Sequence, residues 1–167
     1  MKLQVTPNDW SCIATAFSMA LDIPFAKFIG MIGHDGGCQP YDDKRFHLGF
    51  HIQECIDICF RLGFACTEIQ YYYGSRPFAE STESIPVYSL EDCGLRFATY
   101  LKLSTLGVLG GIGKQFSHAV AWDGNFIYDP RGQVYPFEEA INHDFRPQTL
   151  WMLTKMEPND VKTILEG

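Results

Sequence analysis

The pattern of apolar and polar positions predicts helices in the first part of the chain. Cys12 to Leu21 is apolar nearly all round, which is typical of a helix buried on most of its faces. Asn8, Asp9 and Ser11 precede it as candidate capping residues, so we expect the helix to begin at or just before Cys12. Shorter periodic patterns predict three more helices, at Phe25 to Ile32, His51 to Leu62 and Glu91 to Leu103.

The second half of the chain carries patterns that are typical of strands. One strand is predicted at Phe64 to Tyr73, followed by a loop from Gly74 to Pro86. Later strands are predicted at Leu106 to Ile112, Ser117 to Trp122, Phe126 to Asp129, Gln133 to Tyr135 and Thr149 to Thr154. Helices followed by short, hairpin-joined strands indicate an α+β fold, with N-terminal helices packed on an antiparallel sheet.

Length and charge narrow the class of protein. The 167 residues, of which 46% are hydrophobic and 20% charged, predict a single globular domain spanning residues 1–167. A net charge of −7 argues against nucleic acid as a partner. We find neither a signal peptide nor an apolar run long enough for a membrane span. We therefore expect a cytoplasmic protein that does not bind membranes.

The six cysteines are predicted to be mostly free thiols, because disulfide frameworks belong to exported chains. Cys55 and Cys59 lie at helical spacing in an apolar stretch, and Cys66 lies in a predicted strand. We interpret these three as small buried hydrophobic residues. Cys12 differs from them because it opens a predicted helix, where the helix dipole favours a thiolate.

An Asp123-Gly124 pair between two strand-like runs predicts a β-hairpin. With these two residues at the centre of a type I′ turn, His118 lies directly opposite Asp129. Opposed side chains have Cβ atoms about 4.5–5.5 Å apart, close enough for a hydrogen bond between imidazole and carboxylate. The alternative is a three-residue turn ending at Asn125, which sets Asp129 opposite Ala119 and points it away from the histidine.

Cys12, His118 and Asp129 together supply the parts of nucleophilic acyl transfer. The cysteine is the candidate nucleophile, and the histidine is its base and later returns the proton to the leaving group. The carboxylate fixes the ring tautomer. The sequence therefore predicts a cysteine hydrolase site that needs neither a metal nor a cofactor.

The same residues resemble a known family. Cys12 opens an Ala/Ser/Met-rich helix after Asn8-Asp9, and His118-Ala-Val-Ala-Trp-Asp-Gly-Asn and Ile-Tyr-Asp129-Pro130 follow far downstream. This resembles papain-like cysteine peptidases related to bacteriocin-leader-processing domains, particularly the small stand-alone versions of bacteriophages. The resemblance implies a papain-like fold, a Cys12–His118–Asp129 triad and a peptide or protein substrate. For a phage-encoded member it also implies action in the host cytoplasm.

The resemblance also implies an oxyanion hole made by the backbone N–H of the cysteine and an upstream glutamine. Gln4 is the only upstream glutamine, and it precedes Cys12 by eight positions. Asn8 is the alternative amide, four residues from the thiol. Ile13 stands where family members often have glycine. Its larger side chain is expected to crowd the oxyanion site.

Two other patterns suggest sites but favour structural roles. His47, His51, Cys55 and Cys59 follow at intervals of four, but four such positions span roughly 120° of a helix and cannot converge on one metal ion. His34 and Cys38 could add ligands only from a loop, and His51 alternatively caps the helix. The glycines from Gly110 to Gly113 lack the spacing of a phosphate-binding loop; we expect them to allow close approach to the catalytic groove. Trp122 is expected in the core.

Two functions remain open on the sequence alone. The first is a cysteine hydrolase, most simply a peptidase that cleaves a peptide or isopeptide bond through a thioester on Cys12. The second is a non-catalytic protein that keeps a papain-like scaffold and binds a partner, for example a host protein engaged by a phage product. The presence of all three triad residues favours the hydrolase.

Overall fold

The fold is described from a computed structural model that covers residues 1–37, 39–40, 46–47, 49–71, 90–114 and 117–157. Within these ranges, only the backbone of residues 39–40, 46–47 and 90–94 is described. The predicted loop from Gly74 to Pro86 lies outside the described residues. So do the side chains of Cys38, His47 and Cys93.

The four predicted helices are present, with ends within two residues of the predicted ones. They are α1 (Cys12–Ala20), α2 (Phe25–Ile32), α3 (Ile52–Arg61) and α4 (Leu90–Leu103). Helix α2 ends at Gly33, whose φ of 100° is in the left-handed region that favours glycine. Helix α3 begins with a capping box, in which the His51 ring accepts from a backbone N–H and Glu54 accepts from the His51 N–H.

The predicted strands are also present, and they pair in antiparallel fashion. Two short strands, β1 (Gln39–Pro40) and β2 (Phe46–His47), pair only with each other. The remaining described strands form one six-stranded sheet in the order β3-β8-β4-β5-β6-β7. They are β3 (Phe64–Gln70), β4 (Gly107–Ile112), β5 (Ser117–Trp122), β6 (Phe126–Asp129), β7 (Gln133–Pro136) and β8 (Arg146–Lys155). This mixture of helices and antiparallel sheet agrees with the α+β prediction.

Three elements differ from the sequence prediction. The β1–β2 ladder and a 3-10 helix at Phe137–His143 were not predicted. Strand β8 is longer than the predicted segment from Thr149 to Thr154 and lies inside the sheet, between β3 and β4. The last described strand therefore joins the α3–β3 part of the protein to the β4–β7 part.

Alternating residues of the sheet pack into two apolar clusters. In one cluster, Ala119 and Ala121 of β5 pack with Phe17 of α1. In the other, Val120 and Trp122 of the same strand pack with residues of α4 and with Phe145. Trp122 is buried and its Nε1–H donates to the Ser104 carbonyl at 3.2 Å, which confirms the prediction that it belongs to the core.

The helices were also compared with the requirements of a membrane span. Among the described residues, none is by itself long and apolar enough to cross a bilayer, and only α1 and α2 taken together, bent by 111°, meet the length and composition criteria.

Gly110 and Gly111 of β4 allow close contact with β8, and the expectation that they also allow close approach to a catalytic groove stays a prediction. A Cβ at Gly111 would collide with the Arg146 carbonyl oxygen, and a Cβ at Gly110 would lie 2.6 Å from the Trp151 ring. The pairing of β4 with β8 shifts register between these two glycines. They are needed because the neighbouring strand occupies the side-chain space.

We expect Gly111→Ala to destabilise the protein by about 1–3 kcal/mol, since the atom it meets belongs to the backbone and cannot move as a side chain could. Gly30→Ala is the matched control, because a Cβ there has nothing within 4 Å and a glycine inside a helix costs about 0.5–1 kcal/mol relative to alanine. Urea denaturation of both variants measures the difference. Equal stability of the two variants would contradict the close strand contact.

Candidate active site

Cys12 is the first residue of α1 and is partly exposed. The N-cap is Ser11, whose side chain makes no capping hydrogen bond within the described part of the chain. The Asn8 side chain accepts instead from the backbone N–H of Trp10 at 3.2 Å. The backbone N–H groups of the first turn therefore lie beside the thiol without a side-chain cap. They provide positive potential at the sulfur.

His118 and Asp129 are brought together by the β5–β6 hairpin, but not in the predicted register. The observed pairs are Trp122 with Ile127 and Ala121 with Tyr128, so the prediction that His118 and Asp129 are directly opposed is wrong. The alternative three-residue turn is not observed either. The observed pairing is displaced from the predicted one by an even number of residues. The side chains of His118 and Asp129 therefore still lie on the same face of the sheet, at diagonal positions on neighbouring strands.

The turn explains the shift in register. Asp123 does not occupy a central turn position, because its Oδ1 accepts from the N–H groups of Asn125 at 2.9 Å and Phe126 at 2.7 Å. Gly124 takes the first central position with a φ of 97°, and Asn125 follows it. A turn with positive φ only at its first central residue corresponds to type II′. The side-chain hydrogen bonds of Asp123 thus move the turn by one residue.

The three predicted triad residues are in contact. His118 Nε2 lies 2.9 Å from Asp129 Oδ1, and since a carboxylate can only accept, the ring donates this hydrogen bond. Cys12 lies close enough to His118 for its side chain to help raise the pKa of the imidazole. Because Nε2 is engaged by the carboxylate, Nδ1 is the ring nitrogen that is left to exchange a proton with the thiol. The Phe145 ring packs edge-on against the imidazole, with centroids 5.8 Å apart.

The charges of this arrangement are strongly perturbed. Burial lowers the pKa of His118, but hydrogen bonds to Asp129 and Cys12 and the attraction of both groups outweigh burial and raise the pKa to about 9. Burial likewise raises the pKa of Asp129, but hydrogen bonds from His118 and Arg131 hold it well below its usual range. At neutral pH the histidine is therefore an imidazolium and the aspartate a carboxylate.

Sequence reasoning missed two residues that contact Asp129. Arg131 binds the carboxylate through its side chain and its backbone N–H, and the Tyr135 hydroxyl donates to Oδ2 at 3.0 Å. Two features of the sequence could have identified these residues. The first is Asp129-Pro130-Arg131-Gly132, a turn sequence in which the aspartate side chain accepts a hydrogen bond from the backbone N–H two residues later. Alternation across the following hairpin then returns Tyr135 to the face of Asp129.

The two candidates for the oxyanion hole lie in different places. The Gln4 side chain donates from Nε2 to the Ile23 carbonyl and accepts at Oε1 from the Phe25 N–H, each at 2.8 Å. Its amide therefore holds the connection between α1 and α2, which corrects the prediction that it faces the oxyanion. Asn8 is in the turn just before α1, and Thr6 donates to its carbonyl. Of the two amides, Asn8 is the one beside the first turn of α1.

The three other cysteines whose side chains the structure describes differ from Cys12 in environment. Cys55 and Cys59 are buried and Cys66 is partly buried, and all three are free thiols. Burial raises the pKa of Cys55, that of Cys59 to about 12 and that of Cys66 to about 11. These thiols are protonated and unreactive at neutral pH.

His34 and His51, two of the residues weighed as metal ligands, have other roles. Within the described ranges no group of three or more His, Cys, Asp or Glu side chains could hold a metal ion. The His34 ring donates from Nε2 to Glu54 at 2.9 Å and stacks on Phe50. His51 caps α3, as the sequence suggested. Both histidines thus organise the start of this helix.

No protein-family model matches the chain, and no curated protein matches it.

Proposed function

We propose that this protein is a cysteine hydrolase with a papain-like fold, and that it cleaves a peptide or isopeptide bond through a thioester on Cys12. The observation that carries the proposal is that Cys12 lies near His118 and that His118 is hydrogen-bonded to Asp129, at the N-terminus of a buried helix. A central helix that begins at the nucleophile and packs on the strand of the histidine also supports the papain-like assignment.

The chemistry follows from the charges of the three groups. The Cys12 thiolate attacks the carbonyl carbon, and the oxygen takes up the electron pair of the carbonyl double bond. The backbone N–H of Cys12 stabilises this oxyanion, and the Asn8 amide, just upstream of α1, adds a second donor. The intermediate collapses to a thioester as the imidazolium of His118 gives its proton to the leaving amine.

A water molecule then completes the reaction. Neutral His118 removes a proton from the water, which attacks the thioester carbon, and collapse of this second intermediate expels the thiolate and leaves a carboxylic acid. The raised pKa of His118 favours the imidazolium at the start of the cycle. Asp129 stays ionised throughout and keeps Nε2 protonated, so that Nδ1 exchanges protons with the reacting atoms.

We expect Cys12 to react with iodoacetamide at mildly acidic pH at least tenfold faster than Cys55, Cys59 or Cys66. The helix terminus and the imidazolium favour its thiolate, whereas burial keeps the other three thiols protonated. Brief labelling of the native protein followed by mass-spectrometric mapping measures each rate. His118→Ala is the control, and we expect it to remove most of the advantage of Cys12.

The result discriminates between the two functions that the sequence left open. Fast labelling that depends on His118 supports the hydrolase. If Cys12 labels no faster than the buried cysteines in a folded protein, the nucleophile is not activated. The non-catalytic partner-binding protein then becomes the better explanation of the same scaffold.

A further inference from the structure

Asp129 is completely buried and still carries a charge. Its Oδ1 atom accepts from His118 Nε2 at 2.9 Å and from the Arg131 backbone N–H at 2.8 Å. Its Oδ2 atom accepts from Arg131 Nη2 at 2.7 Å and from the Tyr135 hydroxyl at 3.0 Å. The Arg131 Nε–H lies 3.1 Å from both oxygens. The carboxylate is thus held from two sides, and only one of its contacts goes to the histidine.

The position of Arg131 is fixed by the turn between β6 and β7. The Gly132 N–H donates to the Asp129 carbonyl at 2.9 Å, and Gly132 has a φ of 94°. Pro130 occupies the second position of this turn, where its fixed φ fits. The turn therefore places the Arg131 guanidinium against the carboxylate of Asp129, which lies two residues earlier in the chain.

Arg131 and Tyr135, the two donors to Asp129 Oδ2, also contact the 3-10 helix at Phe137–His143. Arg131 Nη2 also donates to the His143 carbonyl at 2.9 Å. The His143 ring stacks on Tyr135, with centroids 3.9 Å apart and planes 4° apart. The His143 ring also lies 3.0 Å from Gln133 Oε1 and 3.8 Å from a Glu139 carboxylate oxygen. Both donors to Oδ2 are therefore held in place by a second element.

We propose that Arg131 is a positioning residue of the Cys12 site. Assisted by Tyr135, Arg131 keeps the Asp129 carboxylate ionised and turned toward His118. Its catalytic consequence rests on the hydrolase function proposed above. The arginine itself touches neither the thiol nor the substrate carbonyl. It acts on the reaction only through Asp129 and the imidazole.

Charge balance explains why a second cation is needed. With Cys12 as thiolate and His118 as imidazolium, the buried Asp129 carboxylate would leave the site with one uncompensated negative charge. Arg131 supplies the missing positive charge, and Tyr135 supplies a neutral donor. A nearby opposite charge lowers the pKa of an aspartate by about 1–3 units. Without the arginine, Asp129 takes up a proton at higher pH and His118 loses its anionic partner.

The titratable groups that face this carboxylate come from several elements. They are His118 on β5, Arg131 in the turn after β6 and Tyr135 on β7. Cys12 on α1 faces the imidazole, and His143 of the 3-10 helix contacts Arg131 and Tyr135. Of these, Arg131 is the permanent cation that contacts Asp129 directly. Its removal is therefore the change that most alters the protonation of Asp129.

The test compares Arg131→Gln, which removes the charge, with Tyr135→Phe, which removes one neutral donor. Arg96→Gln is the control, since Arg96 lies over the Tyr100 ring on α4 and has no contact with Asp129. Two readouts are followed against pH: the rate of Cys12 alkylation by iodoacetamide, and the NMR signals of the His118 ring. Circular dichroism at each pH verifies that the variants are folded.

In Arg131→Gln we expect the acid limb of Cys12 alkylation to move to higher pH, because Asp129 takes up a proton at higher pH once the neighbouring cation is removed. The His118 ring signals should gain a second titration step at mildly acidic pH, where Asp129 is protonated. Tyr135→Phe should shift the alkylation profile and the His118 titration in the same direction but by less. Arg96→Gln should match the wild type in both readouts. A folded Arg131→Gln whose profiles superpose on those of Arg96→Gln would overturn the proposal.

The two readouts separate this proposal from the proposed function. If wild-type Cys12 is no more reactive than the other thiols, the hydrolase function fails, but the His118 titration still reports on Asp129. Should Arg131→Gln not fold, Arg131→Met and Arg131→Lys take its place. Lysine keeps the charge and should titrate close to the wild type, whereas methionine removes the charge and should shift as expected for Arg131→Gln. A folded Arg131→Met that titrates like the wild type would equally refute the positioning role.

Discussion

Replacing Cys12 with alanine should abolish hydrolysis, by a factor of 10⁴ or more, in any assay that reports the native reaction, since no other described thiol combines a helix N-terminus with an imidazolium. The change removes one sulfur atom from a partly exposed helix end, so we expect the melting temperature to stay within a few degrees of wild type. His118→Ala should lose nearly as much activity, because the imidazolium both favours the thiolate and protonates the leaving group.

The double variant distinguishes one mechanism from two independent effects. Members of a catalytic unit are strongly non-additive, so Cys12→Ala combined with His118→Ala should lose little more than either change alone. Cys66→Ala is the matched control, because it removes a partly buried thiol that has no contact with the site and should leave activity unchanged. Full activity of a well-folded Cys12→Ala protein would refute the hydrolase.

Asp129→Asn should destabilise the protein by about 2–4 kcal/mol, although it changes a single atom. Breaking a buried ion pair typically costs about 3–5 kcal/mol, and we take a lower range because the Arg131 side chain is 38% exposed to water. An asparagine oxygen can still accept from His118, but the amide NH₂ group would then face Arg131 and Tyr135, which are both donors. For a chain of this size the melting temperature should fall by roughly 5–15 °C.

The pH dependence of this loss has a defined sign. The pKa of Asp129 is lowered in the folded protein, so its stabilising contribution is complete above the unfolded pKa of about 3.9 and is lost as the pH falls below it. The difference in melting temperature between wild type and Asp129→Asn should therefore be largest near neutral pH and shrink in acid. Asp144→Asn is the control, because Asp144 is exposed and asparagine tolerates its φ of 56°. Equal stability of the two variants would contradict the buried ion pair.

The elements of the fold could be predicted because their signals are local. The apolar run that begins at Cys12 and the periodic pattern of α3 needed no knowledge of the rest of the chain. The 3-10 helix at Phe137–His143 was not predicted, because a helix of this kind has a weak periodicity and little propensity of its own. The place of β8 inside the sheet depends on contacts between distant parts of the sequence, which no short pattern encodes.

The candidate site was predicted in part, for reasons that lie in individual side chains. Alternate residues of a strand point to the same face, and the register was wrong by an even number of positions. The sequence therefore correctly predicted that His118 and Asp129 share a face of the sheet, even though the turn residues were misassigned. The register itself depended on Asp123 capping two backbone N–H groups, a hydrogen bond that competes with the turn type expected from its sequence. Gln4 was misassigned because its partners, Ile23 and Phe25, become adjacent to it only in the folded protein.

The position of β8 has a consequence for how the protein folds. Strands β3 and β4 have no pairing with each other, and each pairs with β8, whose residues follow theirs by about 35 to 90 positions. Such a sheet has a high contact order, and its loops must close before the pairing energy is gained. We expect slow folding, on the millisecond-to-second scale of non-local β topologies. During synthesis, the thiol of Cys12 would emerge before β8 and remain without a complete sheet until that strand is inserted, so the reactivity proposed for Cys12 would appear only after β8 has been made.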